Sequence, residues 1–129
     1  ALYVGIMSNR FHRGTIMVSS VHSYVAPVYR YSFDFKASEK FGPAHGAEIA
    51  FAFSNASSYP NAMPGAEAVE DVVSEAWLSF ARDGDPNHEG MPVWPVYNNE
   101  DRPVMVFDAE SRVINDPRAA ERKVWSLNR

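Results

Sequence analysis

VYRYSFDF, residues Val28 to Phe35, is the stretch on which the fold turns. Tyr29, Tyr31, Phe33 and Phe35 alternate with Val28, Arg30, Ser32 and Asp34. That period of two, with aromatic residues on one side, predicts a strand with a buried face. A strand needs neighbours for its backbone groups. The remaining pattern supplies few clear ones, which hints at an incomplete domain.

Working outward, residues 14–25 place Ile16, Met17, Ser20, Val21 and Tyr24 on one helical face, and Pro27 closes that helix. Gly42, Pro43 and Gly46 mark residues 36–47 as a loop. The apolar run at 48–53 fits a short helix or a buried strand, and 55–65, with Pro60 and Pro64, is a second loop. Glu67–Arg82 is a helix with Val69, Val72, Val73, Ala76, Trp77 and Phe80 as its apolar stripe. Acidic residues favour its start, Arg82 its end, and Gly84 suits the position just past it. Val104–Asp108 reads as a short strand. Asp116–Trp125, with Pro117 in the first turn, reads as a closing helix. Helix and strand segments interleave, so the class is α/β, and residues 1–129 form part of one domain.

The 129 residues suffice for one moderate core, and 46% hydrophobic content argues against disorder. A net charge of −4 with scattered Lys and Arg disfavours a nucleic-acid partner. No apolar stretch approaches the roughly 18 residues of a membrane span. Nothing at the start resembles a leader peptide, and Ala1 stands where an initiating Met would. The absence of cysteine removes disulfides, thiolate metal sites and Cys nucleophiles, and leaves the compartment open. Asn55-Ala56-Ser57 is a glycosylation sequon, used only in a eukaryotic secretory setting.

Of the four histidines, His45 has the most pointed context. It follows the strand and a Gly/Pro loop, and precedes an apolar run. His12, His22 and His88 read as solvated or half-buried surface groups. A base in covalent catalysis needs a nucleophile. None of the thirteen serines lies in a G-x-S-x-G elbow. DGDPNHEG at 83–90 begins like a calcium loop, but His88 replaces the required Gly and Trp94 the closing Glu, so a turn capped by Asx side chains is expected. His45 and Glu48 form an H-x-x-E pair with no second pair to complete a zinc site, and no phosphate-binding Gly loop is present; no cofactor is expected.

The order of five pieces carries a resemblance: PVYRYSFDF, GPAHGAEIAFAF, AWLSFARDGDPN, VWPVYNNEDRPVMVFD and NDPRAAERKVW. Together with SNRFHRGTIMVSS near the start, they resemble the C-terminal part of the type-B carboxylesterases. This α/β-hydrolase family includes cholinesterases and bacterial para-nitrobenzyl esterases. The resemblance implies that His45, in the AHGAE loop of Ala44 to Glu48, is the triad histidine, and that Gly46 and Glu48 support it. It gives Trp77, Phe80, Gly84, Asp85, Pro86, Asn87 and Trp94 structural roles. Ser8 and Gly14 depart from the family's usual Asp and Pro. The nucleophile elbow, oxyanion glycines and triad acid would lie upstream. The partners implied are a small-molecule ester and the remaining N-terminal part of the parent, or self-association. A related reading is a non-catalytic adhesion domain of the same architecture, which has no need of His45.

Overall fold

A computed structural model describes residues 11–37, 42–58 and 63–126. Ser8 lies outside them. The elements are α1 (Arg13–His22), β1 (Tyr31–Phe33), α2 (Glu48–Ala52), a 3₁₀ turn (Ala56–Ser58), α3 (Ala66–Asp83), β2 (Pro103–Phe107), β3 (Arg112–Asn115) and α4 (Ala119–Ser126). The strands form one sheet in the order β1-β2-β3. β1 runs parallel to β2, with Tyr31 opposite Met105 and Phe33 opposite Phe107. β3 runs antiparallel to β2, with Met105 opposite Val113.

This answers the question raised by the isolated strand. Val28–Phe35 has β2 as its sheet neighbour downstream, and beyond β2 lies β3, a strand that the sequence pattern did not reveal. Its four residues are half-buried or exposed, so no hydrophobic run marks it. The regular ladder of β1 is shorter than the predicted strand, but its flanks remain bonded. Tyr97 N–H donates to Val28 O at 2.7 Å, and both Asp34 and Phe35 N–H donate to Phe107 O. All five residues of β2 are buried, as a strand flanked on both edges should be.

The aromatic alternation holds. Phe33 and Phe35 pack on Phe51 of α2, at centroid distances of 5.0 and 5.7 Å, while Tyr31 meets Trp77 of α3 edge-on. Phe51, Val69, Val73, Ala76, Trp94, Met105 and Phe107 form the heart of the core. On the opposite side of β1, the buried Arg30 guanidinium lies 5.6 Å from the Tyr97 ring centroid, a cation–π contact. Burial lowers the Arg30 pKa, and Tyr97 partly offsets that.

The run at 48–53 is a helix, and α3 matches its prediction within one residue at each end. Gly84 closes α3 with φ +73°, a left-handed conformation that Gly adopts without steric penalty. Two expectations about helix faces are corrected. On α1, Val21 is 72% exposed and Ser19 is the buried residue. The helical period was right, and a polar contact joins α1 to the rest of the fold: Ser20 Oγ shares a 3.2 Å hydrogen bond with the Tyr97 hydroxyl. On α3, Val69, Val73 and Ala76 face the core while Trp77 and Phe80 are about half exposed. α1 also ends before Pro27, through a turn at Ser23–Val25.

Candidate functional site

The chain leaves the sheet through the buried Phe35 and Ala37. At Gly42 it enters a series of tight turns. Ala44 N–H donates to Gly42 O, Ala47 N–H to Ala44 O, and Ile49 N–H to Gly46 O. His45 sits in this turn and is exposed. Gly46 has φ +80°, so a side chain there would strain the turn even though its Cβ would meet only Ile49 Cδ1 at 3.7 Å. Immediately after it, α2 is anchored by Ala47 and Phe51, which are 2% and 1% exposed. An exposed imidazole is thus mounted on a short turn whose far end is fixed in the core. Among the described residues, no hydrogen bond or ion pair holds the His45 ring.

Glu48 opens α2 and is half-buried. It lines a groove of about 250 Å³ with Tyr31, Ile49, Ala52, Phe53, Trp77 and Leu78. Burial raises the Tyr31 hydroxyl pKa, and the nearby Glu48 charge raises it further. The sequence reading did not find this groove, because helical spacing assigned Trp77 to the buried stripe. The only signal was the run of large apolar residues at 49–53, which a five-residue helix cannot bury on one face.

The other histidines have separate surroundings. His22 is exposed, and His12 is half-buried near α4. The His12 pKa is lowered by burial and then by the charges of Arg118 and Arg30. His88 is more firmly held than expected: its Nε2 is 3.1 Å from Val72 O and its Nδ1 is 2.7 Å from Glu89 O.

The 83–90 stretch is the Asx-capped turn that was expected. Asp85 Oδ1 accepts from the Asn87 backbone N–H at 2.9 Å and from Asn87 Nδ2 at 2.6 Å. Those bonds lower the Asp85 pKa. Asn55 of the sequon is exposed at the end of α2. Among the described residues, no three His, Asp or Glu side chains converge as a metal site, and no helix is long and apolar enough to cross a membrane.

Residues 7–125 match the model of the carboxylesterase family. The para-nitrobenzyl esterase of Bacillus subtilis is 31% identical over 121 residues, a match covering 88% of this chain and 24% of that protein. The phenmedipham hydrolase of Pseudarthrobacter oxydans is 31% identical over 114 residues, covering 81% of this chain and 23% of the hydrolase. In three dimensions, a solved PNB esterase superposes with a TM-score of 0.82 at 28% identity, covering 92% of this chain and 25% of that one. A Geobacillus stearothermophilus carboxylesterase gives 0.81 at 36% identity, covering 95% and 27%. The chain belongs to the carboxylesterase family and has a portion of the α/β-hydrolase fold. It spans about a quarter of the length of these relatives.

Proposed function

We propose that this member of the carboxylesterase family is the C-terminal portion of a serine carboxylesterase, and that it supplies the triad histidine, His45. One observation carries the assignment: an exposed His45 ring, unclaimed by any described residue, on a turn fixed by the buried Ala47 and Phe51. A catalytic base must be reachable by substrate and held by rigid surroundings. His12 and His88 are engaged elsewhere, and His22 is the last residue of α1.

In this reading the nucleophilic serine and the acid lie upstream of Ala1. The neutral His45 imidazole takes the serine Oγ proton as Oγ attacks the ester carbonyl carbon. As the carbon–alkoxide bond of the tetrahedral intermediate breaks, it returns that proton to the alkoxide, which leaves as the alcohol while the acyl group stays on the serine. Water repeats the sequence with the acyl-enzyme, releasing the acid. An upstream carboxylate orients the second ring nitrogen, and upstream backbone N–H groups stabilise the oxyanion. Gly46 permits the turn, and Glu48 supports it from the start of α2.

The test compares His45→Gln and His22→Gln in the longer polypeptide, assayed on a short-chain p-nitrophenyl ester after circular dichroism has verified folding. Triad members act as a unit, so His45→Gln should lower kcat by roughly a thousandfold or more, and His22→Gln by less than about twofold. A His45→Gln protein that keeps a tenth of its activity overturns the assignment. The upstream sequence separates esterase from adhesion protein: the first requires Ser in a G-x-S-x-G elbow, and the second does not.

A further inference from the structure

Arg30 is a buried cation without a close carboxylate. It is 8% exposed, and among the described residues its buried Nε has no hydrogen-bond partner. The Tyr97 ring offsets its burial more than the charge of Asp116 does. Taking a cation out of water is costly, so a further positive charge brought near Arg30 is felt strongly.

His12 is placed to bring one. It immediately precedes α1 and is half-buried. Arg118, just ahead of α4, and Arg30, just ahead of β1, both act on it, and Arg13 follows it in α1. Two carboxylates, Glu121 and Asp116, act on it more weakly. Each of them is held by an arginine. Glu121 Oε1 accepts from Arg118 Nε at 3.0 Å and Nη2 at 2.7 Å. The Asp116 oxygens accept from Arg122 Nε at 3.0 Å and Nη2 at 2.6 Å. Arg30, Arg118 and Arg122 thus outnumber Asp116 and Glu121, and the junction is in positive excess even while His12 is neutral. Burial, followed by Arg118 and Arg30, lowers the His12 pKa.

The later part of α1 is held by other means. Ser20 Oγ shares its hydrogen bond with the Tyr97 hydroxyl, and Ser20 O accepts from Asn99 Nδ2 at 3.4 Å. None of these groups titrates near neutrality.

We propose that the start of α1 is an acid-released latch. Neutral His12 lets the first turns of α1 stay docked beside Arg30 and Arg118. Protonated His12 adds a charge that the junction repels, and those turns open while the Ser20 end stays tied. A histidine whose pKa is lowered by folding stabilises the docked state above its ordinary value, and that contribution is lost as pH falls below about 6.5.

Amide hydrogen exchange in the longer polypeptide tests the latch. Protection factors remove the intrinsic pH dependence of exchange. The readout is at Met17 and Val18, whose N–H groups bond one turn back within α1. Between about pH 7.5 and about pH 5 their protection should fall about fivefold or more, while Val73 in the core keeps its own. His12→Gln, neutral throughout, should hold Met17 and Val18 constant over that range. Arg118→Gln removes one of the cations and releases Glu121 to pair with the imidazolium, so the fall should shrink to less than about twofold. Protection at Met17 and Val18 that ignores pH overturns the proposal. So does an equal fall at Val73, which would be general acid unfolding, or a fall that persists in His12→Gln, which would assign the titration to another group. If His12→Gln does not fold, Arg118→Gln decides: a fall as large as in the unaltered protein overturns the latch.

Discussion

The side chain of Asn87 and the backbone of Trp94 exchange two hydrogen bonds. Trp94 N–H donates to Asn87 Oδ1 at 2.6 Å, and Asn87 Nδ2 donates to Trp94 O at 3.0 Å. One amide therefore serves both backbone groups of a residue whose ring is buried against Tyr29, Tyr31 and Phe107. This bond pair sets where the indole enters the core.

The first prediction follows from that pairing. Asn87→Ala removes the partner of two backbone groups at a part-buried site, at a cost of about 2 kcal/mol. Asn87→Asp loses only the donor and places a carboxylate beside Trp94 O and Asp85, so it should cost a similar amount. Urea denaturation of the longer polypeptide measures both. Wild-type stability in either variant would mean that the exchanged bonds contribute nothing net.

His88 yields the second. Both of its ring nitrogens face carbonyl oxygens, which only accept, so each bond requires a proton on the nitrogen concerned. The ring ties the 85–91 loop to Val72 of α3. Replacing it with Ala should cost about 1 kcal/mol and raise amide exchange in that loop, with no loss of kcat. A kcat loss comparable with that of His45→Gln would instead make His88 the functional histidine.

The third concerns acid stability. Arg122 donates to both carboxylate oxygens of Asp116, from Nη2 to Oδ2 at 2.6 Å and from Nε to Oδ1 at 3.0 Å. That bonding, opposed by some burial, holds the Asp116 pKa below the usual carboxylate range. A pKa depressed in the folded state stabilises above the unfolded value, and the gain is lost as pH falls through the folded value. Asp116→Asn removes the charge while suiting the positive φ of 46° at this position. The variant should therefore be less stable by about 1 kcal/mol at pH 7, and the gap should close below about pH 3.9. A gap that is constant down to pH 2 would exclude the ion pair as its cause.

The fourth concerns the chain by itself. None of its thirteen serines lies in a nucleophile elbow. The 129 residues alone should give no burst of acyl-enzyme with p-nitrophenyl acetate and no labelling by a fluorophosphonate, beyond slow, non-saturable attack by imidazole. Stoichiometric labelling of any serine would refute this.

Local chemistry wrote much of this protein legibly. The aromatic alternation of Val28–Phe35, the stripe and Gly84 cap of α3, and the Asp85–Asn87 turn depend on spacing and on neighbours within a few residues. The setting of His45 and Gly46 was legible for the same reason: a left-handed Gly beside an ionisable residue is a sequence-local signal. Tertiary structure decided what depends on distant partners. β3 has no hydrophobic pattern of its own and is a strand because β2 offers it an open edge. Hydrophobic spacing marked faces on α1 and α3 but could not say which body would cover them. Trp77 and Phe80 are nearly half exposed and Val21 largely so for that reason, because burial is a property of the neighbour as much as of the residue.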